Sequence, residues 1–258
     1  INNGPNSLHG GGPIAFHNRI WEANQKDDKI IEFTTTSPDG EDGYPGNLDV
    51  KVTYALTEDN TLIINYFANT DKPTVLNLTN HCYFNLNGDH QMPITNHLLQ
   101  LNADCYTPVD STYMTTGEIA PVAGTPMDFT AFKEVGKEIT NFDFEQLKNG
   151  NGYDHNWVLN TKCDDTKVCA TVKSPVTGIV LDVYTNEPGI QFYSGNFLDG
   201  TTTGKDGKSI NQRTGMCLET QKYPDTPNKS HLEGWPSAIL EPGQEYYSHC
   251  VYKFSVEK

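Results

Sequence analysis

"LDVKVTYAL", residues 48–56, sets Leu48, Val50, Val52, Tyr54 and Leu56 on one side of the chain and Asp49, Lys51 and Thr53 on the other. That period of two belongs to an extended strand with one face buried. "TEDN" (57–60) supplies a turn and "TLIINYFANT" (61–70) returns as the partner, so a β-hairpin is expected. Further out, "NWVLNT" (156–161), "VCATVKS" (168–174), "IVLDVYT" (179–185), "IQFYSGNFL" (190–198) and "VYKFSVE" (251–257) are β-rich runs of the same kind. "SPVTG" (174–178), "NEPG" (186–189) and "EPGQE" (241–245) punctuate them with turn chemistry. Only "TAFKEVGKEI" (130–139) reads as a helix, weakened by Gly136.

The chain is thus expected to be all-β. Its 258 residues suffice for one large domain, and neither an internal repeat nor a long linker divides them. A formal charge of -15 disfavours nucleic acid and anionic membrane surfaces as partners. No run approaches the ~20 apolar residues of a membrane span, so a soluble protein is expected. The chain begins at Ile1 in a glycine-rich run, from which removal of an upstream segment is expected. The compartment, cytoplasmic or periplasmic/secreted, stays open, as does the oligomeric state. Six scattered cysteines without CxxC pairs argue against a zinc knuckle; a Cys163–Cys169 disulfide across a hairpin is conceivable but not favoured. "DGTTTGKDGKS" (199–209) has Thr202 where a phosphate-binding loop needs glycine, and reads as a solvated turn.

Four stretches carry candidate chemistry. In "NLTNHCYFNLNG" (77–88), His81 on position alone reads as a structural histidine. Asn77, Asn80 and Asn85 add groups suited to sugar hydroxyls or to bracing the ring, and Tyr83 and Phe84 offer faces suited to the C–H side of a pyranose. His9 precedes three glycines that permit a sharp turn, and Asp154 precedes an apolar strand; each is equally at home in a plain turn. Glu219 follows Met216, Cys217 and Leu218, so a carboxylate rides on an apolar strand and must be paired or held for proton transfer.

"NNGPNSLHGG", "RIWEA", "NLTNHCYFNLNG", "TTGEIAPVAGTPMDF", "GYDHNWVL", "VYTNEPGIQFYSGNFLDG", "CLETQKYPDTPN" and "ILEPGQEYY" follow one another along nearly the whole chain. In that order and spacing they resemble the galactose mutarotase, or aldose 1-epimerase, family. The resemblance implies a single domain over 1–258, a large antiparallel β-sandwich of the supersandwich type, with a site for one monosaccharide. It implies Glu219 as catalytic base and His81 as acid, on opposite sides of the opening bond, with His9, Asp154 and Gln191 holding the sugar. It implies neither metal nor organic cofactor. The family's N-terminal strands and an Asn-Arg pair that reaches the substrate would precede Ile1. Arg19 is not that arginine, and the chain's own cleaved N-terminal segment is an expected partner. A non-catalytic carbohydrate-binding β-sandwich, a relative acting on a hexose 6-phosphate and, more remotely, a glycosidase are the rival readings.

Overall fold

The computed structural model describes residues 1–257. In chain order the strands begin with β1 (Glu22–Gln25), β2 (Ile30–Ser37), β3 (Leu48–Leu56), β4 (Thr61–Thr70) and β5 (Thr74–Val75). Next come β6 (Leu98–Leu101), β7 (Cys105–Thr107), β8 (Ala120–Pro121), β9 (Lys133–Glu134) and β10 (Asp154–Val158). The last are β11 (Ala170–Lys173), β12 (Ile179–Thr185), β13 (Gly189–Tyr193), β14 (Cys217–Gln221), β15 (Ile239–Leu240) and β16 (Tyr246–Val256). They make a nine-stranded sheet in the order β1-β2-β3-β4-β16-β12-β11-β6-β9, a five-stranded sheet β14-β13-β10-β7-β8 and a small β15-β5 pair, with antiparallel neighbours throughout.

β3 and β4 are the expected hairpin, with Leu48 opposite Thr70 and Leu56 opposite Leu62. Leu48, Val50 and Val52 are buried and Asp49 is exposed, as the alternation requires. Tyr54 is only half-buried and Leu56 is exposed, where the strand runs out into its turn. The expected helix over 130–139 is instead β9 followed by a single 3₁₀ turn, Val135–Lys137. Lys133 and Glu134 pair with Leu99 and Leu98 of β6, and Gly136 lies so close to Thr95 that a Cβ would come within 2.9 Å of its carbonyl oxygen. The helices that do form, α1 (Glu145–Gly150) and α2 (Thr226–Lys229), are too short to display a periodic apolar stripe.

One hydrophobic cluster runs through both sheets, with Val50, Ile64, Leu181 and Tyr252 from the larger and Trp157, Ile190, Phe192 and Leu218 from the smaller. Phe129, Tyr153 and Phe192 meet at ring separations of 5.0–5.9 Å. Such aromatic contacts each add about 0.5–1.5 kcal/mol beyond the burial itself. The Tyr252 hydroxyl donates to the carbonyl oxygen of Leu218 at 2.6 Å and ties β16 to β14.

That core fixes which residues face the other way. Because Trp157, Ile190, Phe192 and Leu218 point inward, Asp154, Asn156, Gln191, Tyr193, Cys217 and Glu219 share the opposite face of the smaller sheet. Register then sets Asn156 opposite Gln191 and Gln191 opposite Glu219, with Asp154, Tyr193 and Cys217 aligned in the adjacent row. Elsewhere, all the cysteines are free, with Cys163 exposed and Cys169 buried, so no disulfide joins them. The 199–209 loop is a mostly exposed turn closed by a Thr203–Ser209 bridge. Among the described residues no helix is long and apolar enough to cross a membrane.

Candidate active site

Glu219 sits in the middle of β14, 6% exposed. Burial, reinforced by the negative charge of Asp154, pushes its carboxyl up to about 8. Asp154, at the start of β10, is raised to about 6 by burial, partly offset by a 2.8 Å hydrogen bond from Gln191 Nε2. Gln191 Oε1 and Asn156 Oδ1 are buried without a partner. An acceptor in that condition is what a ligand hydroxyl satisfies.

His81 lies over this sheet face on the segment that passes β14. Its Nε2 is 3.5 Å from Glu219 Oε1 and its Nδ1 is 3.3 Å from Cys217 Sγ. Burial holds its basicity below the usual imidazole value. Backbone bonds exchanged between Phe84 and Met216 (2.7 and 3.0 Å) and a two-point pairing of the Asn77 amide with Lys222 (2.9 Å each) fix the segment on both sides of the ring. The Asn80 amide lies 3.0 Å from the Tyr252 hydroxyl, and Asn85 donates to the carbonyls of Met92 and Thr214 at 2.7 and 3.0 Å. Asn77 and Asn85 therefore brace the backbone and Asn80 packs against the side chains of Tyr252 and Cys250, so none of these groups is free for a sugar. Phe84 also turns inward, packed on Tyr252 at 4.9 Å, whereas Tyr83 is 49% exposed with its ring 5.0 Å from that of His81.

His9 arrives from the N-terminal loop with its ring 5.3 Å from that of His81, and burial lowers its basicity as well. Its φ of 54°, followed by 81° at Gly10 and 99° at Gly11, makes the tight turn foreseen from the glycines. The Asn2 side chain closes that loop, donating to the carbonyls of Leu8 and Gly11 at 2.9 Å each. Folding thus assembles Glu219, His81, His9, Asp154, Gln191 and Tyr83 from five separate segments. Arg19 makes an ion pair with Glu41.

Sequence reasoning missed Cys217, Asn156, Tyr193 and Phe197. Cys217, Asn156 and Tyr193 are each two residues from a residue that was singled out, hence on the same strand face. Tyr193 is 6.3 Å from His81 ring to ring and stacks on the exposed Phe197, also at 6.3 Å. No transition-metal ligand set is visible in the sequence spacing, yet folding brings ligand atoms of His81, Cys217 and Glu219 within 4.8 Å of one another.

Fold and site together define a β-sandwich protein in which two neighbouring buried carboxyls and an imidazole lie among unpartnered acceptors and aromatic rings. The sequence profile of the aldose 1-epimerase family matches residues 1–253. Pig (Sus scrofa) galactose mutarotase is 46% identical over 256 residues, covering 99% of this chain and 71% of the relative. Aldose 1-epimerase of Escherichia coli strain K12 is 42% identical over 257 residues, covering 98% and 72%. The crystal structure of galactose 1-epimerase from Lactobacillus acidophilus NCFM superposes with a TM-score of 0.84 at 32% identity, covering 100% of this chain and 72% of that one. The chain belongs to the aldose 1-epimerase family.

Proposed function

We propose that this chain, an isomerase of that family, interconverts the α and β anomers of a free hexose, galactose or glucose, with Glu219 as general base and His81 as general acid. The observation that carries the reading is the pairing of a buried carboxyl and an imidazole at 3.5 Å on one side of the site. Opposite sides are not required, because the hydroxyl oxygen O1 and the ring oxygen O5 are bonded to the same carbon. An acid and a base serving them must be neighbours.

In the opening step Glu219 removes the O1 proton as the C1–O1 π bond forms. The electron pair of the C1–O5 bond goes to O5, which takes the proton from Nε2 of His81. Rotation of the aldehyde about C1–C2 presents its other face, and the reverse transfers close the ring as the opposite anomer. Each proton returns to the group that held it, so the cycle balances without a co-reactant. General acid and general base contributions of about 10²–10⁴-fold each suit a reaction that water already performs slowly.

The raised carboxyl of Glu219 serves this role, since a base near neutrality takes a proton from a hydroxyl more readily than an ordinary carboxylate does. His9, Asp154, Gln191 and Asn156 are suited to the remaining hydroxyls, and Tyr83 with Tyr193 to the C–H face. A pure binding module has no use for a buried carboxyl held beside an imidazole, and a hexose 6-phosphate would want a basic cluster that these residues do not provide. Polarimetry on freshly dissolved α-D-galactose and α-D-glucose tests the reading. Acceleration by the wild type that is lost in Glu219→Gln and His81→Asn supports it, whereas sugar binding without acceleration returns the binding-module reading.

A further inference from the structure

Nδ1 of His81 has no place in the proton transfers just described, yet it is held. Cys217 Sγ lies 3.3 Å from it. The contact is built into the sheet. Cys217 and Glu219 are two residues apart on β14 and so share a face, one beneath each ring nitrogen. The exchanged backbone bonds of Phe84 and Met216 lock His81 over them.

We propose that Cys217 is a positioning residue: its sulfur accepts the Nδ1–H of His81 and so keeps Nε2 as the nitrogen that gains and loses the proton during turnover. The inference rests on His81 being the general acid. After His81 has protonated the ring oxygen it must be a neutral ring with its proton on Nδ1, since Nε2 must be bare to take that proton back. An unanchored ring can instead settle with its proton on Nε2, and then it can neither accept from the open-chain sugar nor receive a hydrogen bond from a protonated Glu219.

The oxidation and protonation state of the sulfur matters. Cys217 is fully buried, and desolvation together with the charge of Glu219 pushes its thiol well above the ordinary range. A thiolate there would hold His81 as a permanent imidazolium and remove its ability to donate. A neutral thiol is a weak acceptor, strong enough to select a tautomer and too weak to fix the charge. The other rings facing His81, those of His9, Tyr83 and Tyr193, approach at centroid distances of 5.0–6.3 Å. None of these offers Nδ1 a hydrogen bond.

The test is a long-range ¹H–¹⁵N correlation on sugar-free, ¹⁵N-histidine-labelled wild-type protein at a pH where His81 is neutral. His81 is expected to show a protonated Nδ1 and a bare Nε2. Cys217→Ala should shift the ring toward the Nε2–H form and lower kcat about tenfold with KM within twofold. Cys217→Ser, whose hydroxyl can accept the same bond, should recover much of that loss. A wild-type His81 protonated on Nε2 in its neutral form would overturn the proposal even if no variant folds, as would a Cys217→Ala protein with unchanged tautomer and kcat. Because the tautomer is read without sugar, its confirmation alongside an active Glu219→Gln or His81→Asn protein would sink the catalytic reading and leave the anchoring of the ring standing.

Discussion

Replacing Glu219 by Gln should inactivate the protein and at the same time stabilise it, by an amount that depends on pH. The wild-type carboxyl is raised from 4.5 to about 8 by folding, chiefly through burial. A folded-state value above the unfolded one means that the folded chain binds this proton more tightly. The associated stability is therefore fully present below about pH 4.5 and is lost as pH rises through about 8. At ~1.36 kcal/mol per unit the full loss amounts to ~5 kcal/mol. Relaxation and water entry around the buried charge reduce it, leaving a gain of about 1–4 kcal/mol for the neutral amide at high pH. In a chain of this size each kcal/mol moves Tm by about 2–4 °C. Urea unfolding of both proteins at pH 4.5 and pH 8.5, with polarimetry alongside, measures the effect. The expected outcome is near-equal stability at the lower pH, a more stable variant at the higher, and a fall in kcat of about 10²–10⁴-fold. A variant that keeps its activity, or whose stability difference does not change between the two pH values, would refute the reasoning.

His81→Asn should lower kcat by about 10²–10⁴-fold with little change in KM, because donation to the ring oxygen strengthens as the bond breaks; a rise in KM alone would make His81 a binding residue. The Glu219–His81 pair should act while it holds one proton, so kcat/KM should be bell-shaped, low where both groups are protonated and low again where both have lost their protons. Asp154→Asn should shift that profile toward lower pH, since the Asp154 charge raises Glu219, and should raise KM; an unmoved profile would break the link between the two carboxylates. Turnover should survive exhaustive chelation, while added Zn²⁺ should inhibit by drawing together His81, Cys217 and Glu219, whose ligand atoms are within 4.8 Å of one another. Activity lost on chelation and restored by metal would contradict the metal-free mechanism.

Strand patterning was legible in part: β2 (Ile30–Ser37) and β6 (Leu98–Leu101) carry no run that was marked. β3, β4 and β12 occupy the residues that their alternation marks, because each lies in the large sheet with neighbours on both sides. Residues 130–139 misled because Val135 and Ile139 are both buried at helix-like spacing, yet one caps a short edge strand and the other lies past a single 3₁₀ turn. Glu219 was legible as a carboxylate among apolar neighbours. The roles of Asn77, Asn80 and Asn85 were not, since an amide that bonds within the fold and one that awaits a hydroxyl look the same in sequence. Cys217 was hidden for a different reason. Its importance lies in its distance to a ring 136 positions away in the chain, which the Phe84–Met216 bridge and the Asn77–Lys222 pairing create.

The most direct measurement follows the anomers at equilibrium, where no net change occurs. Saturation of the α-anomeric proton of galactose in an NMR exchange experiment reports how fast α becomes β. The proposed chemistry predicts that catalytic amounts of the wild-type chain transfer that saturation to the β-anomeric proton, and that Glu219→Gln does not. Equal transfer in the presence of both proteins, or none beyond buffer with the wild type, would contradict it.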